Sequence, residues 1–177
     1  MKKLAIFLPV LLFPLQTYAD ESAIDCLTKN IYFEAKNQSI AGQLAVALVV
    51  INRVKDKRFP ETICAVIYEG PTYESWKTRQ IPDLPKESRK YYPRRDRCQF
   101  SWYCDGKSDN PKNMKVYDSI YELVNYIYDV QSNPEYQILD ITDGATHYHA
   151  DYVRPSWAKT KTKTIEIEDH IFYRWEK

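Results

Sequence analysis

Residues 44–51 read LAVALVVI, eight apolar side chains in succession. A helix that is apolar on every face must be surrounded by other elements, so this segment marks the centre of a core. It is also far shorter than the roughly 20 residues a bilayer span needs. Ser39 stands ahead of it as a candidate N-cap. Ser22, with Asp25 three residues on, gives a capping-box-like start to an earlier helix running to about Ala35. Pro60 suits the first turn of a third helix, PETICAVIYEG, and Gly70 its C-cap. Ile120, Leu123, Val124 and Ile127 recur at helical spacing in a fourth helix, Val116–Val130. After Pro134 the texture alternates: THYHADYV and TKTIEIEDHIFYRW favour strands, the second a hairpin turning near Glu168 and Asp169. Helices first and strands late predict an α+β domain.

Residues 1–19 have the form of a signal peptide. Lys2 and Lys3 precede the apolar run Leu4–Leu15, and Thr17-Tyr18-Ala19 offers small residues for cleavage. Twelve apolar residues are too few for a stable anchor. The mature domain is then 20–177, exported to the periplasm or beyond the cell, with no stable membrane anchor. Cys26, Cys64, Cys98 and Cys104 suit that oxidising route as two disulfides. Three pairings are possible; one closes Cys98–Cys104 as a small loop and leaves Cys26 with Cys64. Loss of Lys2 and Lys3 leaves 23 basic against 24 acidic side chains, and nothing global suggests a nucleic-acid binder. Basic residues gather between Arg79 and Arg97, inside a Pro-, Lys-, Arg- and Tyr-rich stretch, 71–97, that reads as a surface excursion. A solvated loop is the plain reading, and a dock for an anionic polymer the sharper one.

Within NIYFEAKNQ, Glu34 is out of place. Ile24, Leu27, Ile31 and Ala35 form one helical stripe, and Glu34 lies three residues after Ile31 and seven after Leu27. Either the helix frays and Glu34 reaches water, or a carboxyl is held in an apolar setting near a helix C-terminus. Both desolvation and the helix dipole would then raise its pKa, which is what a general acid needs.

Two other stretches carry chemistry. CQFSWYCDG (98–106), which could be a strand, sets Gln99, Ser101, Trp102 and Tyr103 between cysteines, a mixture of stacking and hydrogen-bonding groups suited to sugars. In THYHAD, His147, His149 and Asp151 would share a strand face, a spacing that could ligate zinc. All three come from one short segment, so a structural or substrate-binding role for the histidines is the simpler expectation. A chain with four glycines shows no phosphate-binding loop, and no cofactor or metal is expected.

Taken together, IYFEA, GQLAVALVVINRV, FPETICAVIY, CQFSWYCDG, ATHYHADYVRPSWA and KTIEIEDHIFYR resemble, in this order, the SleB-type cell-wall hydrolase family. The resemblance implies a lysozyme-like single domain that cuts the glycan strand of peptidoglycan as a lytic transglycosylase. It places the single acid/base on Glu34. Gln99, Phe100, Ser101 and Trp102 would line the glycan groove, with His147 and Tyr148 as further groove residues, and a monomer is expected. Lys36-Asn37-Gln38 departs from the family's usual Arg-Gly-Glu; Asn37 can accept φ > 0, so the turn can survive. The 71–97 stretch looks like an insertion. The nearest rival is a hydrolytic muramidase with a second carboxylate, for which Asp105 and Asp109 are candidates. A zinc amidase or peptidase and a non-catalytic glycan-binding module are the others.

Overall fold

The computed structural model describes residues 22–132 and 138–176; the expected signal peptide lies outside them. Helix α1 (Ala23–Ala35) is capped by Ser22, whose side chain accepts from the Asp25 N–H. Helix α2 (Ile40–Lys55) is capped by Ser39, which accepts from Gly42. Short helix α3 (Ile63–Ile67) follows, then strand β1 (Thr72–Glu74), helix α4 (Trp76–Arg79) and strand β2 (Tyr91–Pro93). Helix α5 (Met114–Ser132) precedes β3 (His147–Ala150), β4 (Thr162–Ile167) and β5 (His170–Arg174). The last three form an antiparallel sheet in the order β3-β5-β4.

The apolar run in α2 is explained by its two neighbours. Val46, Ala47, Val50 and Ile51 pack with Leu27 and Ile31 of α1, Val66 and Ile67 of α3, and Ile120, Val124 and Ile127 of α5. Ala45 and Val49 instead meet Ala145 and Phe172 at the sheet. Helix α2 is thus the layer between a helical cluster and the sheet, and every residue from Ala45 to Ile51 is buried. Cys26 of α1 is bonded to Cys64 of α3, and Cys98 to Cys104.

The β4–β5 hairpin turns at Glu168, whose φ is 50°. This left-handed conformation is disfavoured for a residue with a Cβ. Both Glu168 carboxylate oxygens accept from the Ser39 N–H (3.2 and 2.9 Å), and Asp169 accepts from Gln38 Nε2 at 2.9 Å. The hairpin tip is therefore fastened to the α1–α2 connection. That connection contains no left-handed residue, so Asn37 is not used as a glycine substitute.

Four local expectations are corrected. The third helix starts after Thr62, its observed cap, rather than at Pro60, and ends at Tyr68. Gly70 is not its C-cap; a Cβ there would lie 3.1 Å from both Cα and Sγ of Cys98, so glycine allows that close approach. CQFSWYC is no strand: Ser101–Cys104 form a 3-10 turn. Six residues of strand would separate their ends by about 20 Å, whereas the bonded Cys98 and Cys104 Cα atoms are 6.2 Å apart. Residues 71–97 are more ordered than a loop. Strands β1 and β2 pair antiparallel, Tyr73 opposite Tyr92, with α4 in the connection between them.

Candidate active site

A cleft of about 660 Å³ opens between the end of α1, the 99–112 segment and the β3–β5 edge. Glu34 reaches it from the penultimate position of α1. It is only partly exposed. Burial raises its pKa, opposed by a hydrogen bond from Tyr148 and by the positive charge of Arg53. The Tyr148 hydroxyl donates to Glu34 Oε2 at 2.9 Å. Burial, the Glu34 charge and that same bond hold the Tyr148 phenol well above its usual range, so it remains a donor.

Arg53 lies beside this pair and is 4% exposed. Its Nε donates to the Thr146 carbonyl at 2.7 Å, and its guanidinium sits 5.3 Å from the rings of both Phe59 and Phe100. Nη1 is buried without a protein partner. An arginine stays charged even when desolvated, so a fixed cation stands near the acid. His170 is buried at the same wall, 5.0 Å ring to ring from Tyr148, and burial lowers its pKa.

The opposite wall comes from the disulfide-closed turn. Gln99 and Ser101 are exposed along the cleft, and Phe100 and Trp102 are buried at it. Trp102 stacks on Phe33 at 4.9 Å and donates through Nε1 to Asn30 Oδ1 at 3.0 Å, so α1 fixes its indole. Asp105 also borders the cleft. It accepts from the Lys107 N–H at 2.8 Å and pairs with the Lys107 ammonium at 3.3 Å, which hold its pKa low. Asp109 is outside the cleft lining, and partial burial raises its pKa.

The structure thus gathers Glu34, Gln99, Phe100, Ser101, Trp102 and Tyr148 around one cleft, but not His147. His147 packs between Phe59, Trp157 and Trp175 on the other face of β3. Burial and the charges of Arg53, Lys161 and Arg58 push its pKa down to about 3. His149 borders the cleft, yet both its nitrogens are engaged, Nδ1 by the Ala150 carbonyl and Nε2 by the Tyr173 hydroxyl. Asp151 is exposed in the turn beyond β3. His147 and His149 both pack on Trp157 while Asp151 lies in the turn beyond them, so the three side chains do not converge as the supposed zinc set. Arg53 and His170, which line the cleft, and Asn30, buried behind Trp102, are not singled out from sequence.

A carboxyl withheld from water beneath an open cleft, with aromatic and amide walls, is an arrangement capable of acid–base chemistry. Residues 37–173 match the family model described as Cell Wall Hydrolase, and the chain belongs to that family. Glu34 lies three residues ahead of the matched stretch. Spore cortex-lytic enzymes are among the similar proteins. That of Oceanobacillus iheyensis is 24% identical over 86% of this chain and 41% of its own length. That of Bacillus cereus is 33% identical over 40% of this chain and 27% of its own. The match therefore spans less than half of either relative. The catalytic domain of the germination-specific lytic transglycosylase SleB from Bacillus anthracis has the same fold. Its TM-score is 0.54 at 22% identity, covering 90% of this chain and all of that domain. The catalytic domain of Bacillus cereus SleB gives 0.53 at 23% identity, over 86% and 89%.

Proposed function

We propose that this protein cleaves the glycan strand of peptidoglycan as a lytic transglycosylase, with Glu34 as its single acid and base. The observation that carries the proposal is the desolvated Glu34 carboxyl, hydrogen-bonded by Tyr148 at the foot of the cleft. Family membership and the fold shared with a lytic transglycosylase domain support the same reading.

In the first half-reaction, protonated Glu34 donates its proton to the oxygen linking N-acetylmuramic acid C1 to the next N-acetylglucosamine. The C1–O bond breaks, and positive charge develops on the muramyl ring. The new Glu34 carboxylate is received by the Tyr148 hydroxyl and the Arg53 charge. In the second, that carboxylate takes the proton of the muramyl 6-hydroxyl as its oxygen bonds to C1. A 1,6-anhydro end forms, no water is consumed, and Glu34 is again protonated. Gln99, Ser101, Phe100 and Trp102 would align the strand. His147, which is outside the cleft lining, would act only through the packing of β3.

Hydrolysis is the second reading, because Asp105 shares the cleft and is held ionised. Its product is a reducing muramic end. Mass spectrometry of fragments released from purified sacculi separates the two. Anhydro ends from the wild type, lost with Glu34→Gln and kept with Asp105→Asn, support transglycosylation; reducing ends that vanish with Asp105→Asn overturn it. The paired cysteines and the expected leader support action outside the cytoplasm. We take the acting unit to be a single chain, the simplest arrangement that brings Glu34, Tyr148 and the Gln99–Trp102 wall to one cleft.

A further inference from the structure

We propose that the β1–β2 ribbon is a second glycan-binding surface, gripping the peptidoglycan strand outside the cleft. This rests on peptidoglycan being the substrate. Tyr73 and Tyr92 are directly opposed across the ribbon, 6.0 Å between ring centroids, and are 50% and 47% exposed. Trp76, at the start of α4, is 63% exposed. Paired aromatics exposed on a rigid support mark a contact surface, and ring faces of this kind are what sugar rings stack on.

The support is rigid for identifiable reasons. The Arg89 guanidinium donates to Glu74 at 2.8 Å and to the carbonyls of Leu84 (3.1 Å), Pro82 (2.9 Å) and Ile81 (3.4 Å). One side chain thereby ties the connecting segment to β1. The Ser75 N–H donates to the Lys90 carbonyl at 2.7 Å, continuing the strand pairing into α4. At the base, Arg94 N–H donates to Pro71 and Asp96 N–H to Cys104, which seats the ribbon on the disulfide-closed turn of the cleft.

Charge selects the partner. Residues 71–97 carry eight Lys or Arg against four Asp or Glu, whereas the rest of the chain has more acidic than basic side chains. Seven of those eight cations are exposed; the eighth is Arg89. Peptidoglycan presents both matching chemistries: sugar ring faces for Tyr73 and Tyr92, and stem-peptide carboxylates for the surrounding cations. Arg95 packs 3.6 Å from where a Cβ on Gly106 would stand, and Gly106 adjoins Asp105 of the cleft. The base of the ribbon is thus contiguous with that wall of the cleft.

The test uses full-length protein carrying Glu34→Gln, so that binding is not obscured by cleavage. Co-sedimentation with purified sacculi is compared with and without Tyr73→Ala plus Tyr92→Ala. The expected result is about a tenfold loss of retention, the scale of losing two aromatic anchors. Retention also falls as salt rises from roughly 0.1 to 1 M, where screening shortens from about 10 to 3 Å. With Glu34 restored, the tyrosine pair variant should cleave short soluble glycan fragments at the wild-type rate and intact sacculi more slowly. Unchanged retention overturns the proposal, as does an equal loss on short fragments, or retention transferred to anionic phosphatidylglycerol vesicles with sacculus binding intact. If the wild type releases no sugar ends while tyrosine-dependent retention persists, the catalytic reading fails and this surface stands.

Discussion

The Tyr148 hydroxyl on β3 donates to Glu34 Oε2 on α1 at 2.9 Å, joining residues 114 positions apart in the chain. This bond favours the ionised carboxylate, against the burial that favours the protonated one. Tyr148→Phe removes the opposition, so the Glu34 pKa rises further and the alkaline limb of the activity profile moves to higher pH. Turnover falls on the order of tenfold, because the carboxylate formed on proton donation loses a hydrogen bond. Lysis of sacculi across pH measures both, and an unmoved alkaline limb would rule out the coupling.

Glu34→Gln keeps an acceptor for Tyr148 but has no proton to give, and activity should drop at least a hundredfold. Its stability should change in the other direction. The folded-state pKa of Glu34 is raised by burial, so its contribution to stability is complete below the ordinary carboxylate range and declines as pH climbs through the folded value. The amide resembles the protonated acid. Urea midpoints should therefore coincide near pH 4, with the variant ahead near pH 8. A variant less stable than wild type at both values would mean that Glu34 is not strained by its surroundings.

Sequence made Glu34 visible because a charged residue on an apolar stripe breaks a pattern. Arg53 carries the same signal: it follows Val46, Val49 and Val50 at spacings of seven, four and three, and all three valines are fully buried. That stripe points to it as clearly as the α1 stripe points to Glu34. Tyr148 was placed in the groove by family resemblance, but its partner depends on how a strand meets a helix from the other end of the chain. His147 shows the limit of a motif read linearly. It alternates with Tyr148 along β3, and Tyr148 borders the cleft while His147 packs among Phe59, Trp157 and Trp175. The 3-10 turn at Ser101–Cys104 was hidden because its pairing was open, and the disulfide is what excludes an extended chain.

Gly42→Ala probes the fastening between the hairpin and the α1–α2 connection. An added Cβ would stand 2.7 Å from Glu168 Oε2 and 2.8 Å from Gln38 Cβ. The Glu168 carboxylate can swing away only by giving up its bonds to the Ser39 N–H. The expected cost is about 1–3 kcal/mol, read as a lower urea midpoint at constant slope. The Glu168→Gln partner variant, which weakens the same bonds without the added Cβ, should cost less. Equal stability of Gly42→Ala and wild type would show that the connection tolerates movement.

The two disulfides should divide their roles between stability and substrate. Cys26–Cys64 closes a separation of 38 residues and ties α1 to α3, whereas Cys98–Cys104 closes only six. Loop-closure entropy makes the first worth about 4 kcal/mol and the second about 2. Cys26 is also fully buried in the main core, so its replacement adds a packing loss. Paired alanine variants should rank in that order by urea unfolding. The Cys98→Ala, Cys104→Ala pair should nonetheless lose more activity on sacculi, since the turn it closes carries Ser101 and Trp102 along the cleft. If that variant keeps wild-type lysis, Trp102 is held well enough by Phe33 and Asn30 alone, and the bond serves the fold rather than the groove.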